Sequence, residues 1–252
     1  MSKICGRPVP STGVRLACPS AVRFESVPKA VLPLPRFPME KNGRGDETMP
    51  QVYVLLTDTG TLFSRSIRCW TRNPLNHASL ALDPDLEEVY SFGRLHPDNP
   101  FIAGFVRERV WGSLIRRPER PTPCAIYRCR ISCGAYLGLL EELDRFRLET
   151  PRWRYNLAGL LAVAAGIEWR RPDKYFCSQF VAHLFAAAGM PLVPKPPALT
   201  APCDLEASPR LALVYRGDLR EYCMKRGNVP KDVDFRRVSL PFPQAARQIS
   251  LR

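Results

Sequence analysis

Segments in which apolar residues alternate with polar ones, or in which β-branched and aromatic residues are concentrated, recur along the middle of the chain. Both patterns are typical of β-strands that bury at least one face. The predicted strands are Gln51–Thr57, His77–Leu82, Glu88–Phe92, Phe105–Trp111, Ala125–Ile131 and Leu211–Tyr215. The turn residues Asp83, Pro84 and Asp85 lie between the second and third strands, so we expect a hairpin there.

Other segments place apolar residues three and four positions apart, the spacing that forms one stripe on a helix. They are Leu62–Trp70, Leu137–Leu148, Asn156–Gly166 and a helix within Asp173–Gly189, which Gly189 ends. The Asn156–Gly166 segment is apolar almost all round, which predicts a central, buried helix. Strands and helices together predict one α+β domain over residues 50–222, with an antiparallel sheet packed against helices.

The two ends of the chain have a different composition from the predicted domain. Prolines recur every few residues in residues 1–49 and forbid helices and central strands there, so this segment is predicted to be disordered. Beyond Tyr222 the composition turns polar and basic again, and residues 223–252 are predicted to form a basic tail.

Length and cysteine usage bound the class of protein. The chain has 252 residues, and no apolar run approaches the roughly 20 residues that cross a bilayer. An export signal is not evident at the N-terminus. The nine cysteines are irregularly spaced, and Cys124, Cys129 and Cys133 have neither paired CxxC spacing nor a nearby histidine. We therefore expect a cytoplasmic protein with reduced thiols and with no metal or other cofactor.

The formal net charge of +13 points to an anionic partner. The excess of basic over acidic residues is +4 in residues 1–49, +4 in residues 50–222 and +5 in residues 223–252. Most of the charge is thus carried by the ends. No helix-turn-helix, zinc-finger or aromatic RNA-binding signature accompanies it. One hypothesis is therefore a non-catalytic binding module whose basic ends hold a nucleic acid or an anionic membrane surface.

Cys177 is the strongest candidate for chemistry. It lies in the first turn of its predicted helix, where unpaired N–H groups and the helix dipole favour a thiolate. Of the three histidines, His96 lies in a polar loop and His183 points about 240° away from Cys177 around the helix. His77, at the start of a strand, is the remaining candidate base. The alternative is that Cys177 is inert packing and that His77 only bonds the backbone.

Three motifs together resemble a known family. They are NPLNHASLAL over residues 73–82, VYSFGR over residues 89–94 and KYFCSQFV over residues 174–181. The combination is similar to the permuted papain-like branch of the NlpC-type cysteine hydrolase superfamily. That branch includes the YiiX/YaeF-like proteins and is related to the lecithin:retinol acyltransferase-like proteins.

The resemblance implies a papain-like fold with Cys177 as nucleophile, His77 as general base and a third polar residue on the following strand. The position that aligns with this third residue is Ser91. Tyr175 is a candidate donor to an oxyanion, and its alternative role is to pack the helix start. The expected activity is hydrolysis or acyl transfer through an acyl-thioester, on a small-molecule, peptide or lipid acyl substrate.

Overall fold

The computed structural model describes residues 49–58, 74–95, 103–117 and 119–230. Residues 1–48 of the predicted disordered segment, the predicted helix Leu62–Trp70 and residues 231–252 of the predicted tail lie outside the described residues. The strands are β1 (Gln51–Thr57), β2 (His77–Ala81), β3 (Val89–Arg94), β4 (Ala103–Glu108), β5 (Pro123–Arg130), β6 (Arg154–Tyr155), β7 (Lys174–Tyr175) and β8 (Ala212–Asp218). The helices are α1 (Cys133–Leu148), α2 (Leu157–Ala164), α3 (Cys177–Ala187), α4 (Pro202–Glu206) and α5 (Leu219–Arg226), with short 3₁₀ turns at Thr150–Arg152 and Pro197–Leu199.

Six strands form one sheet in the order β4-β3-β2-β1-β5-β8. Every neighbouring pair in it is antiparallel. Strands β6 and β7 form a separate parallel pair. The prediction of a mixed α+β protein, with an antiparallel sheet packed against helices, is confirmed.

Alternation along the strands sends side chains into two cores, one on each face of the sheet. From β1, Val52, Val54 and Leu56 belong to the core that contains buried residues of α1 and α3. Tyr53 and Leu55 point the other way, into a core shared with α5. Both faces of this central strand are therefore covered, which explains why its sequence is apolar without strict alternation.

The pairing between β2 and β3 is short. These strands pair only at Leu80–Tyr90 and Ala81–Val89, whereas β3 and β4 pair at six positions. Strand β2 therefore has β1, but not β3, as its partner at the end that begins with His77. Helix α3 packs against both β2 and β3.

Two boundaries differ from the sequence prediction. Helix α3 begins at Cys177, because Lys174–Tyr175 is extended and pairs with β6 instead of entering the helix. Helix α5 runs across residue 222, where the composition places the end of the domain, and Cys223 within it is fully buried. The folded part of the chain thus continues at least to Arg226.

Helix α2 does not have the central position that its composition predicts. Leu160 and Val163 are buried against Phe176, but Leu157 and Leu161 on the other side are 43% and 62% exposed. Within the ranges that the structure describes, only one face of the helix is covered. Neither α2 nor any other helix in the described ranges is long and apolar enough to cross a membrane.

Candidate active site

Cys177 is the first residue of α3 and is buried, with 3% of its surface exposed. The extended conformation of Phe176 starts the helix, and the Phe176 N–H donates to Oε1 of Gln179 at 3.4 Å. The Ser178 hydroxyl donates to the carbonyl oxygen of Thr200 at 2.7 Å. These bonds fix the first turn of the helix, which carries both Cys177 and the Ser178 N–H that bonds to its sulfur.

His77 is held at the opposite wall of the site by the start of β2. It lies directly across from Thr57 of β1. The loop before it is fixed by Asn76, whose side-chain N–H₂ donates to Oδ1 of Asp58 at 2.9 Å and to the carbonyl oxygen of Pro74 at 3.2 Å. The imidazole is therefore carried by rigid backbone rather than by a free loop.

The imidazole lies between a carboxylate and the thiol. Nε2 of His77 is 2.7 Å from Oε1 of Glu108, at the end of β4. The ring also forms a hydrogen bond with Cys177. Because Nε2 faces the carboxylate, Nδ1 is the ring atom left for the thiol. Glu108, His77 and Cys177 thus form a chain of acid, base and nucleophile.

Three further hydrogen-bond donors surround the sulfur of Cys177. The backbone N–H groups of Ala78 and Ser178 bond to it. The hydroxyl of Tyr155, at the end of β6, forms a side-chain hydrogen bond with it. Donors from a sheet strand, a helix start and a tyrosine converge on the atom where negative charge would reside, and such donors favour a thiolate over a thiol.

Small and hydroxyl-bearing residues of β2 and β3 surround the Glu108 carboxylate next to His77. The Ser91 hydroxyl donates a short hydrogen bond to Oε1 of Glu108, and the Ser79 hydroxyl lies 3.4 Å from the same oxygen. A Cβ on Gly93 would lie 3.8 Å from this oxygen. Ser91 was predicted to orient the imidazole directly, and the structure instead places the longer Glu108 carboxylate, from the next strand, beside Nε2 of His77. Ser91 instead holds the carboxylate.

The three ionisable groups shift one another's pKa values in a consistent direction. Burial lowers the pKa of His77, but the Glu108 charge and hydrogen bonds to Cys177 and Glu108 outweigh it and raise that pKa to about 10. Burial raises the pKa of Cys177, yet the hydrogen bond and charge of His77 bring it below its ordinary value. Burial likewise opposes the ionised form of Glu108, and its pKa is nevertheless lowered by His77, Ser91 and Ser79. Each shift favours the ionised form of its group, which is the thiolate of Cys177, the imidazolium of His77 and the carboxylate of Glu108.

Tyr175 takes the packing role that was the alternative at the sequence level. Its ring lies 5.4 Å from that of Phe92, 5.2 Å from that of Phe146 and 5.2 Å from that of His183, measured between centroids. Its hydroxyl bonds to Arg145. The tyrosine that does bond to the thiol is the residue paired with it across the β6–β7 strands, Tyr155.

The other two histidines lie apart from this site or outside the described residues. Nε2 of His183 is 2.7 Å from Oε1 of Glu142, a pair that joins α3 to α1. His96 is outside the described residues. In the part of the chain that is described, no group of three or more His, Cys, Asp or Glu side chains is suitable for holding a metal ion.

Sequence reasoning missed Glu108 and Tyr155. Glu108 shares a strand face with Val106, so an acidic residue interrupts an apolar row. An acidic residue within an apolar row is the sequence feature that could have identified Glu108. Tyr155 precedes the helix-capping Asn156 in a two-residue strand and has no pattern of its own.

Comparison with known proteins adds no family assignment. No protein-family model matches the chain, and no curated protein matches it significantly. The function must therefore be argued from the geometry of the site.

Proposed function

We propose that the chain is a cysteine hydrolase or acyltransferase. Cys177 is the nucleophile, His77 the general base and acid, and Glu108 the positioning residue that keeps the imidazole protonated and aligned. The observation that carries the proposal is the position of one imidazole between the Cys177 thiol and the Glu108 carboxylate.

The reaction would proceed in two steps. The Cys177 thiolate adds to the carbonyl carbon of an ester or amide, and the carbonyl electrons move to oxygen. The His77 imidazolium then gives its proton to the leaving alcohol or amine as the bond to it breaks, which leaves an acyl-thioester. Water or an acceptor next gives a proton to His77 and attacks the thioester, and the thiolate is released.

Two groups are suited to bind the oxyanion that forms during each addition. The first-turn backbone N–H groups of α3 are fixed next to the sulfur, and the Tyr155 hydroxyl is already within hydrogen-bond distance of it. A reacting carbonyl bound to the sulfur would place its oxygen among these donors.

A purely structural role would not need this arrangement. A carboxylate, an imidazolium and a thiolate in a buried site carry a net negative charge, which costs desolvation energy that apolar side chains would avoid. Strongly perturbed groups that face one another in this way are concentrated at functional sites. The order along the chain, with the histidine strand before the cysteine helix, agrees with the permuted papain-like resemblance and supports the same activity.

The proposal is tested by the reactivity of Cys177 toward iodoacetamide, followed by peptide mass spectrometry as a function of pH. Cys177 should be alkylated with an apparent pKa below the ordinary value of about 8.5. His77→Ala should abolish that lowering. An electrophilic ester probe should label the intact protein and not Cys177→Ala.

Cys133 provides the matched control. It is also the first residue of a helix, α1, but it is exposed and no histidine contacts it among the described residues. Cys133→Ala should leave both the probe labelling and the pH profile of Cys177 unchanged. If Cys177 titrates as an ordinary thiol, the enzyme proposal fails and a catalytically silent domain remains.

A further inference from the structure

Helix α2 and the loop after it carry a cluster of exposed apolar side chains that the proposed chemistry does not use. Leu157, Leu161, Ile167 and Trp169 are 43%, 62%, 54% and 45% exposed. We call these four residues the α2 patch. They are four of the nine large apolar side chains exposed in the described part of the chain, and they lie within 13 consecutive residues. Such concentration is unlike the scattered exposure that is normal for surface leucines.

The α2 patch is held by a well-bonded scaffold. Asn156 caps the helix, with its Oδ1 accepting from the Gly159 N–H at 2.9 Å. The same side chain donates to the carbonyl oxygen of Trp169 at 3.1 Å, and the Ile167 N–H donates to the carbonyl oxygen of Ala162 at 2.9 Å. The loop is therefore tied back onto both ends of the helix.

Basic residues flank the α2 patch. Arg154 precedes it, and Arg170 and Arg171 follow it, all exposed. Arg170 pairs with Glu168, which lies between Ile167 and Trp169 in the sequence, so Arg154 and Arg171 are the arginines best placed to contact lipid phosphates. Residues 150–174 contain five basic and two acidic residues. The guanidinium of Arg171 lies 5.9 Å from the centre of the Trp169 ring. An apolar surface with an indole at its edge and arginines around it matches the chemistry of a lipid interface with anionic headgroups.

The α2 patch lies next to the candidate active site along the chain and in space. The opposite face of the helix, with Leu160 and Val163, packs against Phe176, the residue before Cys177. Tyr155, whose hydroxyl bonds to Cys177, is two residues before the first residue of the patch. A surface bound at the α2 patch would therefore be held close to the thiol.

We propose that the α2 patch docks the protein on the surface of a membrane that contains anionic lipids. The apolar side chains enter the headgroup boundary, and the arginines contact lipid phosphates. This docking relies on residues separate from Cys177 and His77, so it holds whether or not the proposed chemistry does. It also differs from attraction through the basic ends, which needs no apolar contact.

The test is co-sedimentation of the full chain with lipid vesicles. Vesicles of phosphatidylcholine with phosphatidylglycerol should bind the protein, and vesicles of phosphatidylcholine alone should bind it much more weakly. Leu161→Ser and Trp169→Ser should each weaken partitioning about tenfold, as expected for loss of one large, half-exposed apolar side chain. The control is Leu137→Ser, which removes a similarly exposed leucine (51%) from α1 and should change partitioning less than about twofold.

Each other outcome overturns the proposal. Absence of vesicle binding would remove the membrane as the partner. Binding that depends on charge but is insensitive to Leu161→Ser would assign it to the net charge of +13 alone. Loss of self-association on Leu161→Ser, measured without lipid by sedimentation velocity, would assign the patch to a second copy of the chain. Cys177→Ala should bind vesicles like the intact protein, which separates docking from catalysis.

Discussion

The carboxylate of Glu108 is the group whose removal should change the site most informatively. Glu108→Gln keeps the length of the side chain and an oxygen that can accept from Nε2 of His77, which lies 2.7 Å away. It removes only the negative charge. Because that charge is the main influence that raises the pKa of His77 against burial, the pKa should fall below its ordinary value of 6.5.

The structure sets the size of the effect. A pKa raised from 6.5 to about 10 corresponds to about 5 kcal/mol of preference for the imidazolium at 1.36 kcal/mol per unit. Without the imidazolium, burial leaves the Cys177 thiol at or above an ordinary pKa near 8.5, with about 3% thiolate at pH 7. Alkylation of Cys177 at pH 7 should therefore slow, by up to about 30-fold if the thiol is fully ionised in the intact protein.

The pH dependence of alkylation shows in which direction the pKa of Cys177 is shifted, and it does not require the absolute rate. In the intact protein the ion pair exists from the lowered pKa of Cys177 up to about 10, where His77 loses its proton. The alkylation rate should thus rise at a lower pH than it does for an ordinary thiol. In Glu108→Gln the rise should move toward alkaline pH, because Cys177 then ionises as a buried thiol without a cationic neighbour.

Glu142→Gln is the matched control for this experiment. It makes the same change in a His–Glu pair of the same 2.7 Å separation, on the α1–α3 interface. It should leave the reactivity of Cys177 unchanged. Urea unfolding of both variants identifies any loss that reflects the fold. An unaltered Cys177 profile in a folded Glu108→Gln protein would refute the reasoning.

Three other substitutions test Tyr155 and two contacts elsewhere in the fold. Tyr155→Phe should slow acylation by an ester probe about 10- to 100-fold without changing stability, and an unchanged rate would remove this hydroxyl from the oxyanion site. Gly104→Ala should lower the free energy of unfolding by about 1–3 kcal/mol in urea titrations, because its Cβ would lie 2.5 Å from the Trp153 carbonyl oxygen. The control is Gly134→Ala, because a Cβ at Gly134 would meet nothing within 4 Å. It should leave the free energy of unfolding unchanged, and equal losses in the two variants would contradict the clash at Gly104. Asp218→Asn should lower the free energy of unfolding by about 3–5 kcal/mol in urea titrations, because it removes the charge that neutralises the fully buried Arg220. A loss under 1 kcal/mol would contradict this prediction.

The sheet was predictable because alternation reports directly which side chains are buried. All six strands of the sheet were expected, with ends displaced by a few residues where turns and pairing override local pattern. Helix α3 was expected as well, but its first residue depends on the short pairing of Tyr155 with Tyr175. Contacts between such brief segments leave no periodicity in the sequence.

Helix α2 shows a limit of a different kind. A helix that is apolar on all sides is expected to be shielded from water on all sides, but its sequence does not show which surface shields it. Among the described residues, the chain covers only the face with Leu160 and Val163. The composition therefore indicates correctly that this helix has apolar residues to bury. The prediction that it lies in the centre of the domain is wrong.

The candidate site was half predictable. Cys177 and His77 follow from a helix start and a strand start, which are local features. The contact of Glu108 with His77 depends on how the strands pair, because β2 and β3 pair at only two positions and Glu108 comes from β4. Pairing across strands is not visible in short motifs, so their alignment pointed to a residue on β3.

The reactivity of Cys177 is expected to depend on complete folding of the region in which β2 and β3 do not pair. His77 and Glu108 are 31 residues apart and Cys177 comes much later, so a chain still being synthesised carries only ordinary thiols. The pKa of Cys177 is lowered only once α3 packs against β2 and β3. A local opening there would separate the three groups and remove that lowering while the rest of the sheet stays paired.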